Sequence, residues 1–203
     1  LLLSLLLLVQ AFVIIGGVKR RCPRSGASYD VDLAAMVRVM EERGVSAVAL
    51  TPDEDLYGGC FADLLVVAQT TSVPILCSDL VIDPLQIVMA RCHGAAAVTV
   101  DASVVNDREL KALFRQSVEL GLDLVFVARS ASDLDRISRV RVGSAESGGP
   151  RIVGIDARDT ATGELDLALC ERLWPAIPEH VAPIVAAGAC TRADVLTLEA
   201  IGF

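Results

Sequence analysis

The chain has 203 residues, of which 53% are hydrophobic and only 4% are aromatic, and it carries a net charge of −8 with a pI of about 4.7. This length and apolar content are enough for one domain whose core is built from Ala, Val, Leu and Ile. An acidic chain without a long basic run is a poor nucleic-acid binder, because neutralising phosphates requires clustered Lys and Arg. We therefore expect no nucleic-acid partner, whereas the charge suits either solubility or a basic partner.

The chain opens on an apolar segment that has two interpretations. Residues Leu1 to Gly17 are almost wholly apolar, and a basic run follows them. The segment is either a signal anchor or short membrane helix, at the lower limit of length for a span, or a helix over Leu1–Gln10 followed by a strand over Phe12–Val18. We favour the second interpretation, which places a leader at residues 1–11 and the folded domain at 12–203.

Short runs rich in Val and Ile then alternate with helical patterns along the whole chain. Such runs predict strands, and apolar residues recurring every three or four positions predict helices. The predicted strands are Phe12–Val18, Val45–Leu50, Val73–Leu76, Ala96–Val100, Leu122–Val127, Arg151–Ile155 and Pro183–Ala187. Predicted helices include Val31–Arg43 (apolar face Leu33, Val37, Met40), Asp107–Leu120 (Leu110, Leu113, Phe114, Val118), Ala131–Val140 and Thr191–Ile201. Asp107 and a capping box of Thr191 with Asp194 are expected at two helix starts. Glycines are expected just after four helix ends, at Gly44, Gly94, Gly121 and Gly202.

Alternating strands and helices imply a parallel sheet of the α/β class. Seven such units without a dinucleotide-binding glycine motif favour a (β/α)8 TIM barrel over a doubly wound sheet. The leader helix would then cover the bottom of the barrel. A closed barrel needs eight strands, and the sequence reaches Phe203 where an eighth would begin, so either the chain is a fragment or another segment closes the gap.

The six cysteines form no C-x-x-C pair, so a structural zinc site is not expected. A disulfide framework is uncommon in a chain with this much core, which predicts thiols in a reducing intracellular compartment. The cysteines are Cys22, Cys60, Cys77, Cys92, Cys170 and Cys190.

Chemistry in such barrels lies at the carboxyl ends of the strands, and neither histidine is there. His93 falls at a helix end and His180 in the loop before the seventh strand, both at the opposite side of the barrel. The basic run Lys19–Arg21 follows the first strand and has two interpretations. It is either a phosphate site, helped by backbone N–H groups near Gly188 and Thr191, or a solvated cationic loop. The acidic run Asp53–Asp55 either holds a hard cation or is an exposed loop, and we favour the loop.

Five motifs in order resemble one family. They are Val18–Gly26, Gly58–Leu64, Val73–Ile87, Val153–Asp159 and Gly188–Asp194. The third is the most specific, since V-P-I-L-C-S-D-L-V-I-D-P-L-Q-I is similar to that family's I-P-V-L-R-K-D-F-I-I-D-P-Y-Q-I. With this spacing the chain resembles the indole-3-glycerol-phosphate synthases of tryptophan biosynthesis from about Ile15 to Gly202.

The resemblance implies a reaction that this chain is poorly equipped to perform. The family closes an indole ring on an anilino-deoxyribulose phosphate, with loss of carbon dioxide and water. The resemblance implies a lysine general acid where this chain has Ser78 and a glutamate where it has Val127. It also implies glutamates at Gly17 and Ala186 and an asparagine at Asp156; the retained residues are Lys19 and Arg158.

We therefore expect a barrel of this family without catalytic residues, cofactor or metal, acting as a structural or accessory subunit with protein partners. The alternatives are an active, divergent synthase and a phosphate-ester-binding module. A residual anion site would use Lys19, Arg20, Arg158 and Gly188. In photosynthetic eukaryotes the family is often located in plastids, but no residue here indicates an organelle.

Overall fold

The computed structural model describes residues 13–23, 25–141, 148–158, 164–186 and 191–203. Within them seven strands alternate with helices. The strands are β1 (Ile15–Val18), β2 (Ala47–Leu50), β3 (Ile75–Cys77), β4 (Ala97–Asp101), β5 (Asp123–Ala128), β6 (Ile152–Ile155) and β7 (Ala182–Val185). The helices are α1 (Leu33–Glu42), α2 (Phe61–Ala68), α3 (Pro84–Cys92), α4 (Asp107–Leu120), α5 (Ala131–Ser138), α6 (Leu167–Leu173), which continues into a 3-10 turn (Trp174–Ala176), and α7 (Arg192–Ile201).

The chain forms two compact units. The first contains the residues up to Thr99 together with Gln116–Asp123, and the second contains Val100–Arg115 together with Leu124–Phe203. In the first unit β1, β2, β3 and β4 pair in chain order, and in the second β5, β6 and β7 do the same. Every one of these pairings is parallel, as strands separated by helices require.

Each unit has its own apolar core between strands and helices. In the first, Val48 of β2 is fully buried, as are Leu64, Val67 and Ile87 of the helices. In the second, Phe126 of β5 is fully buried and its ring lies 5.5 Å from that of Phe114, centroid to centroid. Burying side chains of this size contributes roughly 1.5–3 kcal/mol each.

The predicted strands coincide with the observed ones to within three residues, and the predicted helices to within two. Leu33, Val37, Leu110, Leu113 and Phe114 are buried as predicted. Val118, predicted to lie on the same apolar face of α4, is 49% exposed.

Helix ends follow the sequence signals with one change. Thr191 and Asp194 form the predicted capping box of α7, and His93 caps the end of α3. The cap of α4 is Asn106 rather than Asp107, because the Asn106 carboxamide oxygen accepts the N–H groups of Arg108 and Glu109 at 3.0 Å. The glycines predicted to end helices all have a positive φ, namely Gly44, Gly94, Gly121 and Gly202.

The leader lies outside the described residues, so neither interpretation of it meets a structural test. Ile14, predicted to belong to the first strand, precedes β1 and is 54% exposed. Among the helices of the described ranges, none has the length and apolarity that a membrane span requires.

Candidate functional site

Lys19 follows β1 directly and lies on the surface of the first unit. Its ammonium group stands 4.3 Å from the centroid of the Tyr57 ring, within the range of a cation–π interaction. Tyr57 belongs to the loop that follows β2, so the carboxyl ends of two neighbouring strands meet at this lysine. The structure thus keeps a cationic group at the strand end where the sequence predicted an anion ligand.

Arg20, the next predicted ligand, is tied into the protein. Its guanidinium donates to both carboxylate oxygens of Asp63, at 2.8 and 3.2 Å, and to the Val31 carbonyl oxygen at 3.1 Å. The same carboxylate accepts the Cys60 N–H that precedes α2. The hydrogen bond to Asp63 raises the pKa of Arg20 above its ordinary value. Arg20 therefore joins the loop after β1 to the start of α2.

The end of β3 carries Ser78, where the resemblance implies a lysine. Ser78 is half-buried, and its N–H donates to the Leu50 carbonyl at 2.7 Å. Burial raises the pKa of the preceding Cys77 thiol to about 12, with a further contribution from the Asp79 charge. Burial also raises the pKa of Asp79, and proximity to Asp53 acts in the same direction. Neither serine nor a buried thiol supplies the cationic acid of a lysine.

In the second unit, three strand ends are joined by one arginine. Arg129, directly after β5, places Nη2 2.6 Å from the Asp156 carboxylate after β6 and Nε 3.1 Å from Asp101 at the end of β4. Asp101 also accepts the N–H and hydroxyl of Ser103, and Asp156 accepts the N–H of Arg158. Asp156 is thus occupied by contacts within the protein.

Val127 and Ala186 occupy two positions where the resemblance implies glutamates, and both flank Gly154 of β6. Val127 lies level with Gly154 across the β5–β6 pairing. A Cβ atom built on Gly154 would stand 3.3 Å from the Ala186 Cβ and 3.7 Å from a Val127 methyl carbon. Val127 is buried. This region is therefore small and apolar where the family would hold two carboxylates.

The other predicted positions are distributed as follows. Gly17 is an exposed residue of β1, and a Cβ built on it would meet no other described atom within 4 Å. Arg158 is exposed and forms an isolated bridge with Leu165. Gly188 lies outside the described residues. Across the described ranges, no group of three or more His, Cys, Asp or Glu residues is arranged to hold a metal ion.

The bridging role of Arg129 was not predicted from the sequence. Asp101, Arg129 and Asp156 nevertheless follow the predicted fourth, fifth and sixth strands. Because consecutive parallel strands end at one edge of a sheet, a lone Arg between two Asp residues at equivalent positions could have predicted the bridge.

Comparison with known proteins identifies the family. The sequence profile of the indole-3-glycerol phosphate synthases matches residues 5–203. The synthase of Opitutus terrae is 31% identical over 195 residues, covering 93% of this chain and 70% of that protein. The synthase of Leifsonia xyli subsp. xyli is 33% identical over 190 residues, with the same coverage of both chains.

The chain belongs to the indole-3-glycerol phosphate synthase family. The structure of the deoxyribose phosphate aldolase from Aeropyrum pernix, a TIM barrel, is similar with a TM-score of 0.65 at 14% identity, over 93% of this chain and 81% of that one. A structure described as native KDPGal gives a TM-score of 0.62 at 13% identity, over 96% and 80%. These likenesses confirm the predicted fold class. The family to which the chain belongs is one of tryptophan biosynthesis.

Proposed function

We propose that this chain is a non-catalytic member of the indole-3-glycerol phosphate synthase family that acts as a structural or accessory subunit of a larger assembly. The observation that carries the proposal is the pair Ser78 and Val127. Serine donates no proton readily near neutral pH and valine has none to donate. General acid–base catalysis contributes about 10²–10⁴-fold for each group, so the loss of both removes most of the expected rate enhancement.

Arg129 supports the same proposal. The asparagine that the family resemblance implies presents a neutral amide, whereas Asp156 presents a carboxylate held at 2.6 Å by Arg129. The Asp156 carboxylate would repel an anionic substrate. A ligand group that displaced Arg129 would have to break its ion pairs with Asp101 and Asp156. Interactions that the protein makes with itself in the resting state reduce the binding energy available to a ligand.

The apolar surroundings of Gly154 support it further. A carboxylate at the buried position of Val127 would carry a desolvation cost that a catalytic task can justify. Val127 avoids this cost, which suits a domain retained for its shape and contacts.

A second candidate function is a phosphate-ester-binding module, and the position of Lys19 favours it. Its ammonium lies at the surface beside Tyr57 at the end of β1, where a phosphate could approach. This candidate predicts measurable binding of a sugar phosphate by calorimetry, with loss in Lys19→Met. Absence of phosphate-ester binding at millimolar concentration removes it.

The test of the leading proposal is an assay of the full chain with the anilino-deoxyribulose phosphate, in which indole fluorescence is followed. We expect the signal of the buffer alone, while the Leifsonia xyli synthase serves as the positive control. Enzyme-dependent fluorescence would establish the rival function, an active divergent synthase. The double variant S78K/V127E should stay inactive, because Gly17 and Ala186 remain changed.

The accessory role needs its own measurement. Light scattering coupled to size-exclusion chromatography of the protein from its native source should give a mass above that of one chain. A monomer that is soluble without detergent and free of other proteins would contradict the role.

A further inference from the structure

Helix α4 presents three cations on one face. Arg108, Lys111 and Arg115 are separated by three and four residues, which places them on the same side of a helix, and all three are exposed. Together with Asp107 and Ala112 they line an open depression of about 540 Å³. We call Arg108, Lys111 and Arg115 the α4 cationic face.

Two acidic residues next to this face, Asp107 and Glu109, are engaged elsewhere, whereas Glu119 lies one turn beyond Arg115. The Asp107 carboxylate accepts Nε of Arg136 at 2.6 Å, and the Glu109 carboxylate accepts the Asn106 N–H at 2.8 Å. Within the described ranges, the ion pairs of the second unit involve neither Lys111 nor the other two cations of the face. The three charges are therefore available to an external anion.

An apolar side chain adjoins the cationic face. Val104 is 53% exposed, and of the second unit's described residues only it and Leu196 are large, apolar and exposed. Val104 lines a second open depression, of about 740 Å³, that shares Asp107 and Arg108 with the first. A ligand lying along both depressions would meet an apolar contact at one end and three cations along the other.

The surface is held in shape by hydrogen bonds. Arg136 donates to the carbonyl oxygens of Ala102 at 2.6 Å and Val105 at 2.5 Å, which fixes the loop that carries Val104. Asn106 caps the helix that carries the cations. The backbone of this surface therefore needs little ordering on binding, which lowers the free-energy cost of docking.

We propose that Val104 and the α4 cationic face form a docking site for an acidic segment of a protein partner, one that carries an apolar residue beside a run of Asp or Glu. Charge complementarity selects this partner, because the surface is locally cationic and pairs an apolar contact with its charges. A nucleic acid fits less well, since three phosphate contacts alone give weak binding. The proposal deepens the accessory role proposed above by naming the contact surface.

The experiment measures fluorescence anisotropy of the full chain with a fluorescein-labelled oligo-glutamate peptide that carries one leucine. We expect saturable binding that weakens about tenfold or more in R108E/K111E/R115E and also weakens with added salt. The matched control R38E/R43E/R91E makes the same change in net charge at exposed positions of the first unit and should shift affinity by less than about twofold. Circular dichroism confirms that both variants fold.

Two further probes test the chemistry. Val104→Ser should weaken binding of the leucine-bearing peptide but not of oligo-glutamate alone. The proposal is overturned by absence of saturable binding at millimolar peptide, by equal loss in the two triple variants, or by tighter binding of a DNA duplex that depends on the same three cations. None of these outcomes alters the indole assay, so failure here is distinct from failure of the proposed inactivity.

Discussion

Arg129 Nη2 lies 2.6 Å from the Asp156 carboxylate. This carboxylate stands at the end of the sixth strand, where the family resemblance implies the amide of an asparagine. The arginine reaches the Asp101 carboxylate on its other side. One cation thus serves two anions at three strand ends, and each anion accepts further N–H or hydroxyl donors. Both carboxylates are therefore engaged by groups of the protein itself, and the cluster keeps a net negative charge.

Arg129→Met should destabilise the protein by about 1 kcal/mol, because Asp101 and Asp156 lose the cation that they share, while partial exposure of Arg129 limits the cost. Urea denaturation measures the change in the free energy of unfolding. The triple variant R129M/D101N/D156N should recover most of the loss, since the amide oxygens still accept the Ser103 and Arg158 N–H groups.

The matched control is Arg139→Ala. Arg139 pairs with Asp135 at i,i+4 on the exposed side of α5, with both side chains more than half exposed. Its removal should cost less than about 0.5 kcal/mol. Equal losses in the two arginine variants would show that the Arg129 bridge is only a surface ion pair.

Restoring the family's glutamates should lower the free energy of unfolding much more at one site than at another. Val127→Glu places a carboxylate in a buried position beside Gly154 and should cost about 3 kcal/mol. Gly17→Glu adds a side chain where its Cβ has open space, and should change stability by less than about 1 kcal/mol. Thermal and urea unfolding of both variants checks this; a well-tolerated V127E would mean that water or a cation reaches that position.

The fold was predictable because each element has a local signal. Apolar runs marked all seven strands, and capping residues such as Thr191 with Asp194 marked helix starts. The exposure of Val118 was not predictable from helical periodicity, which assigns a face but not which neighbouring element covers it. The sequence predicted which positions form the candidate site, but not the contacts that those residues make. Arg20 shows why: its guanidinium is used by Asp63, a residue 43 positions away that only the fold brings near.

Asp63→Ala should destabilise the protein by about 2 kcal/mol, because one carboxylate serves Arg20 and the Cys60 N–H at the start of α2. Asp32→Ala is the control, since Asp32 caps α1 through the Ala35 N–H without an ion pair, and should cost about 1 kcal/mol. Equilibrium unfolding measures both. A cost for Asp63→Ala no larger than for Asp32→Ala would show that Arg20 contributes nothing, which would return its guanidinium to consideration as an anion ligand.

Stability should fall as the pH rises above about 9, because two thiols resist deprotonation in the folded chain. Burial raises the pKa of Cys77 from the ordinary 9.0 to about 12, and burial raises that of Cys170 to about 11 with help from the Asp166 charge. At a pH between the ordinary thiol pKa of 9.0 and these raised pKa values, the unfolded chain has lost the thiol protons and the folded chain retains them. Deprotonation therefore favours unfolding in this range. The stabilisation is complete below pH 9 and is lost progressively as pH rises towards the folded-state values.

Urea midpoints at pH 8 and pH 10 measure this loss, and the variant C77A/C170A separates the two thiols from Lys and Tyr groups that titrate in the same range. We expect a shallower fall in C77A/C170A than in the unaltered chain, and no change of slope in Cys92→Ala, whose thiol is exposed. Peptide mapping after alkylation at pH 8 should find Cys92 modified in the folded protein and Cys77 and Cys170 modified only after unfolding, because the reactive species is the thiolate. An identical pH slope in C77A/C170A and the unaltered chain, or rapid alkylation of Cys77 in the folded state, would mean that water reaches the interior of the first unit at the end of β3.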